Sequence, residues 1–146
     1  YKDKIMLPLD VIVGNTYDKN YVKYKLIREV DQNEIILDIG TRTLQKYKTA
    51  IDSSETIFLN GTVGMYENVK FANGTKELLT MLANSKAIVV AGGGDASSSV
   101  HNFGFGNKFT YISSGGGATL EYLATGHLVA LDAIEEESVQ IETLDL

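Results

Sequence analysis

The chain has 146 residues, 44% of them hydrophobic, which suffices for one domain with its own core. It contains no cysteine, so disulfide scaffolds, thiolate metal sites and cysteine nucleophiles are excluded. The formal net charge is -6 and the lysines are dispersed, which argues against nucleic-acid binding. No apolar run is long enough to span a bilayer and no signal peptide is visible, so we expect a soluble protein.

Short apolar segments predict a series of strands. The branched residues of segment 5–13 indicate a buried strand, with Pro8 marking a bulge or an edge. In segment 21–27, lysines alternate with aromatic and aliphatic residues, which is typical of a half-exposed strand at a sheet margin. Further apolar strands are predicted over 56–59, 87–91, 109–112 and 128–131.

Helices are predicted between these strands. Apolar residues recur at steps of three and four after Gly40, and Thr41 is the expected N-cap of that helix. Alternating strands and helices imply right-handed crossovers and a parallel sheet covered on both faces, so the predicted class is α/β. Segment 135–146 is either a C-terminal helix or a frayed tail. The predicted core positions of the first two helices are Leu44, Tyr47, Ile51, Phe71, Leu78, Met81 and Leu82.

Three glycine-bearing loops, Asn60–Gly64, Gly92–Gly94 and Gly115–Gly117, follow predicted strands. In a parallel sheet such loops open on one edge, where ligands bind. Glycine lets the backbone approach a ligand, and the next helix presents unpaired N–H groups that suit phosphate. One such loop more often serves strand–helix packing alone, whereas two triple-glycine loops favour a ligand site. Neither a dinucleotide fingerprint nor a Walker loop is present.

Side chains next to these loops have alternative interpretations. Asp95 could hold Mg²⁺ that bridges phosphate oxygens, or it could be a helix N-cap. Glu67 could accept both hydroxyls of a ribose, although alone it is more typical of a solvated first-turn acid. His101 and His127 have no carboxylate or serine at a telling spacing, so we assign neither a catalytic role.

Five motifs occur in a specific order: Leu37–Gly40, Asn60–Glu67, Phe71–Thr75, Gly92–Asp95 and Ser113–Glu121. Together they resemble the phosphoglycerate kinase family, with similarity extending from Leu7 to about Asp132. The resemblance covers only the latter part of the family's C-terminal, nucleotide-binding lobe. It implies a three-layer α/β/α fold with a mainly parallel, Rossmann-like sheet. Residues 1–146 would form a single nucleotide-binding domain, an incomplete C-terminal lobe from which the N-terminal substrate lobe is absent.

The resemblance implies a phosphotransferase of glycolysis located in the cytoplasm. The implied reaction is reversible phosphoryl transfer between 1,3-bisphosphoglycerate and MgADP, giving 3-phosphoglycerate and MgATP. The cofactors would be ATP or ADP and Mg²⁺, and 3-phosphoglycerate would bind through the missing lobe. The chain alone would be inactive, and the full-length form would be a monomer without membrane or nucleic-acid partners. Such chemistry needs alignment and charge neutralisation more than a covalent nucleophile.

Site residues follow from the resemblance, position by position. Leu37 and loop 61–65 would flank the adenine, Glu67 would bind the ribose and Asn60 would lie near the phosphates. Asp95 would be the metal ligand. The complete nucleotide-binding set is Ile36, Leu37, Asn60, Gly61, Met65, Glu67, Gly93, Gly94, Asp95 and Ala96, and Gly115, Gly116 and Gly117 would face the transferring phosphoryl group.

Three departures from the family pattern predict a divergent site with weakened affinity. Ile36 stands where the family usually has glycine, Thr62 where it has proline, and Ala96 where it has serine or threonine. Ser97 is adjacent and could replace the missing hydroxyl. Two alternative functions stay open: a non-catalytic nucleotide-binding or interaction module of the same fold, and part of a Rossmann-type oxidoreductase that binds NAD.

Overall fold

An antiparallel sheet forms the first part of the structure, a computed structural model that describes residues 2–18 and 20–134. Its strands are β1 (Asp10–Gly14), β2 (Lys23–Leu26) and β3 (Ile35–Ile39), in the order β2-β1-β3. Both pairings with the central β1 are antiparallel. The prediction of a half-exposed strand at the sheet margin over 21–27 is confirmed by β2, which lies at the edge of this sheet. The expectation of parallel pairing does not extend to this sheet.

A parallel sheet forms the second part and matches the predicted α/β arrangement. Its strands are β4 (Thr56–Leu59), β5 (Ile88–Gly92) and β6 (Tyr111–Ser113), in the order β4-β5-β6. Both pairings are parallel. The carboxyl ends of all three strands therefore point to one edge, as the glycine loops predicted.

Within residues 2–18 and 20–134, four α-helices have both ends described, and residues 129–134 are also helical. Helix α1 (Thr41–Asp52) follows β3, and α2 (Asn73–Ala83) connects β4 to β5. Helix α3 (Gly94–Asn102) connects β5 to β6, and α4 (Gly117–Thr125) follows β6. Among the described residues, no helix is both long and apolar enough to cross a membrane.

One hydrophobic cluster joins the two sheets through α1 and α2. The predicted core positions Leu44, Ile51, Leu78 and Leu82 are buried in it, and Phe71 is also buried. Tyr47 and Met81 are only partly buried against it. The cluster consists of Ile39, Leu44, Ile51, Leu78, Leu79, Leu82, Val89, Ala91, Val100 and Phe109.

Two predicted strands differ from the structure. The first begins only at Asp10, and Ile5 and Leu7 remain exposed, because Pro8 has no N–H to donate to a sheet. The closing strand predicted over 128–131 is wrong, since residues 129–134 are helical. A four-residue apolar run cannot by itself distinguish a strand from part of a helix. Segment 135–146 lies outside the described residues.

The N-terminus of α1 is capped by Asp10 of β1, and the predicted N-cap Thr41 is wrong. The helix begins after Gly40, which provides no side-chain cap. The Asp10 carboxylate instead accepts the N–H groups of Arg42 (2.9 Å) and Thr43 (2.7 Å) and the Tyr24 hydroxyl (2.6 Å). Burial alone would raise the pKa of Asp10, but the hydrogen bonds from Thr43, Tyr24 and Arg42 outweigh it and lower the pKa.

Candidate functional site

A pocket of about 240 Å³ lies where β3 and the loop after β4 meet. The N–H of Met65 donates to the carbonyl of Leu37 at 2.8 Å, which fixes the loop against the strand. Ile36 is 48% exposed, so its side chain adds bulk at the rim. The structure thus brings together the residues expected to flank an adenine. The pocket is lined by Ile36, Leu37, Thr62, Val63, Gly64 and Met65.

Asp38 packs against the loop after β4 and supports it, a role that the sequence analysis did not predict. Its side chain is buried and accepts the N–H of Gly74 at the start of α2 (2.7 Å) and that of Ile39 (2.9 Å). A Cβ added at Gly64 would overlap the Asp38 carboxylate, so the loop packs directly on this acid. Burial raises the pKa of Asp38, and its two backbone hydrogen bonds offset that effect only in part.

The two triple-glycine loops meet at the carboxyl ends of β5 and β6. Gly93 has φ 90° and ψ 159°, and Gly116 has φ 50° and ψ −119°, conformations that favour glycine. A Cβ built on Gly116 would lie 3.9 Å from the Cα of Gly93, and one built on Gly93 would lie 3.5 Å from Oδ1 of Asn60. The expected phosphate residues of three separate loops are therefore neighbours.

The N-terminus of α3 faces this junction without a side-chain cap. Its first helical hydrogen bond runs from the N–H of Ser97 to the carbonyl of Gly93, at 3.0 Å. The N–H groups of Gly94, Asp95 and Ala96 precede that bond and are available to an anion. Asp95 is exposed in the first turn and is not the N-cap, since Gly93 occupies that position. The N-cap alternative for Asp95 is therefore wrong.

Ala96 and Ser97 differ in the direction of their side chains. Ala96 is 1% exposed and its methyl group is buried, whereas Ser97 lines a cleft beside the glycine loops. The Ser97 hydroxyl donates to the carbonyl of Ser113 at 3.4 Å and so lies between α3 and the end of β6. The Ser97 hydroxyl, which the sequence analysis offered as a replacement for the one missing at Ala96, therefore lies near the glycine loops.

The loop before α4 is braced by hydroxyl groups. The hydroxyls of Ser113 and Thr119 lie 2.7 Å apart, and the N–H of Gly115 donates to the Ser113 hydroxyl at 3.2 Å. Gly116 is the N-cap residue of α4 and provides no side-chain cap. This bracing fixes the backbone of the glycines expected to face a phosphoryl group.

Two of the predicted site residues, Glu67 and Gly61, lie near the site but line neither the pocket at Leu37 nor the cleft at Ser97. Glu67 is exposed in the turn after loop 61–65, and its carboxylate makes no hydrogen bond within the part of the chain that the structure describes. Gly61 faces open space, since a Cβ added there would meet no atom within 4 Å. His101, to which we assigned no role, lines the cleft beside Ser97. Only its helical spacing from Gly94 could have indicated this.

Comparison with known proteins assigns the chain to a known family. Residues 1–126 match the family model described as phosphoglycerate kinase. A phosphoglycerate kinase of Clostridium botulinum (strain Hall) is 40% identical over 137 residues, which cover 91% of this chain and 34% of that protein. The chain therefore spans about a third of the length of that relative.

Two solved structures have the same fold over this region. Phosphoglycerate kinase from Coxiella burnetii superposes with a TM-score of 0.81 at 32% identity, covering 92% of this chain and 34% of the other. The enzyme from Pyrococcus horikoshii gives a TM-score of 0.78, also at 32% identity, covering 92% of this chain and 33% of the other. The α/β fold class predicted from the sequence is confirmed.

Proposed function

The chain belongs to the phosphoglycerate kinase family, and we propose that it supplies the nucleotide-binding part of the phosphoryl transfer between 1,3-bisphosphoglycerate and MgADP that gives 3-phosphoglycerate and MgATP. The observation that carries the proposal is the meeting of Asn60, Gly93 and Gly116 at the uncapped start of α3. The Leu37–Met65 pocket would hold the adenine at the same edge of the structure.

The residues at this junction fit a magnesium nucleotide. Free N–H groups and glycine backbones suit phosphate oxygens, and the exposed Asp95 carboxylate lies on the same turn. Within residues 2–18 and 20–134, no three His, Asp or Glu side chains form a metal-binding group. A Mg²⁺ ion would then take its other ligands from phosphate and water, as Mg²⁺ commonly does. When bound, it would neutralise the phosphate charge.

The chain's own groups would act by positioning. The N–H groups of Gly94, Asp95 and Ala96 would orient the phosphates, and the braced loop 115–117 would present N–H donors to the transferring phosphoryl group. Glu67 would accept the ribose hydroxyls from its exposed turn. Because the phosphoryl donor 1,3-bisphosphoglycerate would bind through a lobe outside this chain, we expect the 146-residue chain alone to produce no ATP from 1,3-bisphosphoglycerate and MgADP.

Calorimetric titration of the full 146-residue chain with ADP, with and without Mg²⁺, tests the proposal. We expect saturable binding that Mg²⁺ strengthens. Asp95→Ala should weaken MgADP binding at least about tenfold and remove the Mg²⁺ effect, because charge-assisted contacts are the strong ones. Asp52→Ala, which alters an exposed acid at the end of α1, is the matched control and should bind as the wild type does.

Two outcomes would contradict the proposal. Tighter binding of NAD than of MgADP would favour the oxidoreductase alternative. Unchanged MgADP affinity in a folded Asp95→Ala variant would contradict the metal role of Asp95. Circular dichroism of each variant shows whether the fold is intact.

A further inference from the structure

A cleft of about 440 Å³ lies beside α3, on the far side of the glycine junction from the adenine pocket. One wall is formed by Gly94, Ser97, Ser98 and His101 of α3, and the other includes Ile112 and Ser114. None of the lining residues is acidic, although the chain carries a net charge of -6. The cleft thus combines apolar surface with a few polar side chains and has no acidic residue in its lining.

The α3 wall is one continuous helix face. Positions 94, 97, 98 and 101 are separated by three or four residues, which places their side chains in a row. The hydroxyl of Ser98 and the imidazole of His101 are exposed, and Ser97 is half-buried. Among the described residues, nothing forms a hydrogen bond with the imidazole nitrogens of His101. Ser98 and His101 can therefore donate to an anion from this wall, and Ser97 can do so by exchanging its long 3.4 Å hydrogen bond to the Ser113 carbonyl.

The His101 ring lies beside the turn that follows α3. A Cβ built on Gly106 would be 3.3 Å from Nδ1 of His101, so the glycine allows the ring to lie close to the backbone there. The ring is thereby restricted on one side while its nitrogens stay unpaired. A restricted side chain loses less entropy when it binds a ligand.

The sheet order aligns the cleft with the expected nucleotide path. The adenine pocket lies at β3 and the loop after β4, Asn60 follows β4, Gly93 follows β5 and the cleft lies between α3 and the end of β6. Since the strands are ordered β4-β5-β6, these sites succeed one another in one direction. If phosphates of the nucleotide were held at Gly93 and Gly94, the next phosphate of the chain would lie in the cleft.

We propose that Ser97, Ser98 and His101 contact the terminal phosphate of a nucleoside triphosphate and make this site prefer MgATP over MgADP. The inference rests on the proposed function, because it requires the nucleotide to bind along the same edge. Serine hydroxyls and an imidazole N–H are donors suited to phosphate oxygens. These residues would determine specificity and are not assigned a chemical step.

Calorimetric titration with MgADP and MgATP separates this inference from the proposed function. His101→Ala in the 146-residue chain should weaken MgATP binding about five- to tenfold, as expected for one lost hydrogen bond to a charged group. It should leave MgADP binding within about twofold. Ser98→Ala should likewise lower the ratio of MgATP affinity to MgADP affinity. His127→Ala is the matched control, because His127 lies outside the cleft, 3.7 Å from Asp132, and should change neither affinity.

The wild-type chain offers a second readout that needs no variant. It has two histidines, so its imidazole signals in a two-dimensional NMR spectrum are easily assigned. We expect MgATP to shift the His101 signal more than MgADP does, and the His127 signal to stay in place.

The outcomes differ in what they overturn. If MgADP binds and the ratio of MgATP to MgADP affinity is unchanged in His101→Ala, the inference is wrong and the proposed function stands. Equal weakening of both nucleotides would make His101 a structural residue and would also overturn the inference. If the wild type binds neither nucleotide, the proposed function fails together with the inference.

Discussion

The first two helices of this molecule begin differently from the last two that the structure describes in full. Acids of the antiparallel sheet cap the first two: the carboxylate of Asp10 on β1 caps α1, and the carboxylate of Asp38 on β3 accepts an N–H at the start of α2. Both acids are at most 1% exposed. In the parallel half, α3 and α4 begin at Gly93 and Gly116, neither with a side-chain cap.

The difference shows which helix ends can serve a ligand. Every helix begins with N–H groups that have no partner within the helix. A buried acid satisfies these groups permanently and adds stability, but it repels a second anion. Glycine leaves them open at the cost of backbone strain, so the start of α3 keeps N–H groups without a side-chain partner, as the proposed phosphate site requires, whereas the start of α1 does not.

Replacing the capping acid of α1 should have the largest effect. Asp10→Ala leaves the N–H groups of Arg42 and Thr43 and the Tyr24 hydroxyl without their acceptor. We expect the free energy of unfolding to fall by about 2–4 kcal/mol, since the buried N–H of Thr43 left unsatisfied costs about 1–3 kcal/mol and the part-buried donors of Arg42 and Tyr24 cost less. Urea unfolding followed by circular dichroism measures this change.

Asp95→Ala is the matched control for that variant. Asp95 also lies at the start of a helix, but it is exposed and caps nothing. Its removal should change the free energy of unfolding by no more than about 0.5 kcal/mol, as is usual for a surface position. Similar losses in the two variants would contradict the distinction between capped and open helix ends.

Gly93→Ala should have an intermediate effect and measures the strain at the open end. A φ of 90° is rarely adopted by residues with a Cβ, so we expect a loss of about 1–3 kcal/mol in the free energy of unfolding. Gly94→Ala is the control, because its Cβ would meet no atom within 4 Å and the residue is helical. That change should be neutral or slightly stabilising. Equal losses would rule out strain at Gly93 as the cause.

The two buried acids should respond to pH in opposite directions, with the smallest effect of the three. The pKa of Asp10 is lowered on folding, so its ionised form stabilises the protein above the unfolded pKa of about 3.8, and this is lost as pH falls through the folded pKa. The pKa of Asp38 is raised because burial disfavours its charge. Its stabilisation is therefore complete below about 3.8 and is lost as pH rises through the folded pKa.

Urea unfolding of Asp10→Asn and Asp38→Asn across the acidic range checks these signs. The advantage of the wild type over Asp10→Asn should grow as pH rises, and its advantage over Asp38→Asn should shrink. If the difference in free energy of unfolding from the wild type changed with pH in the same direction for both variants, the opposite pKa shifts of Asp10 and Asp38 would be contradicted.

The candidate site was predictable where its signals are local. Glycine runs after apolar segments located the loops at Gly93 and Gly116, because the turn from a strand into a helix needs particular backbone angles wherever it occurs. The ordered motifs also predicted the family, which the match over residues 1–126 confirms. The nucleotide-binding roles of the individual residues remain predictions.

What the sequence alone determined, then, was the α/β class, the helices α1 to α4 and the glycine loops, since these depend on residues close together in the chain. Only the tertiary structure decided that the first three strands pair antiparallel, that Asp10 rather than Thr41 caps α1, and that His101 shares a cleft with Ser114. Asp10 and Thr43 are 33 residues apart. Such contacts depend on the packing of distant segments, which no local pattern of residues records.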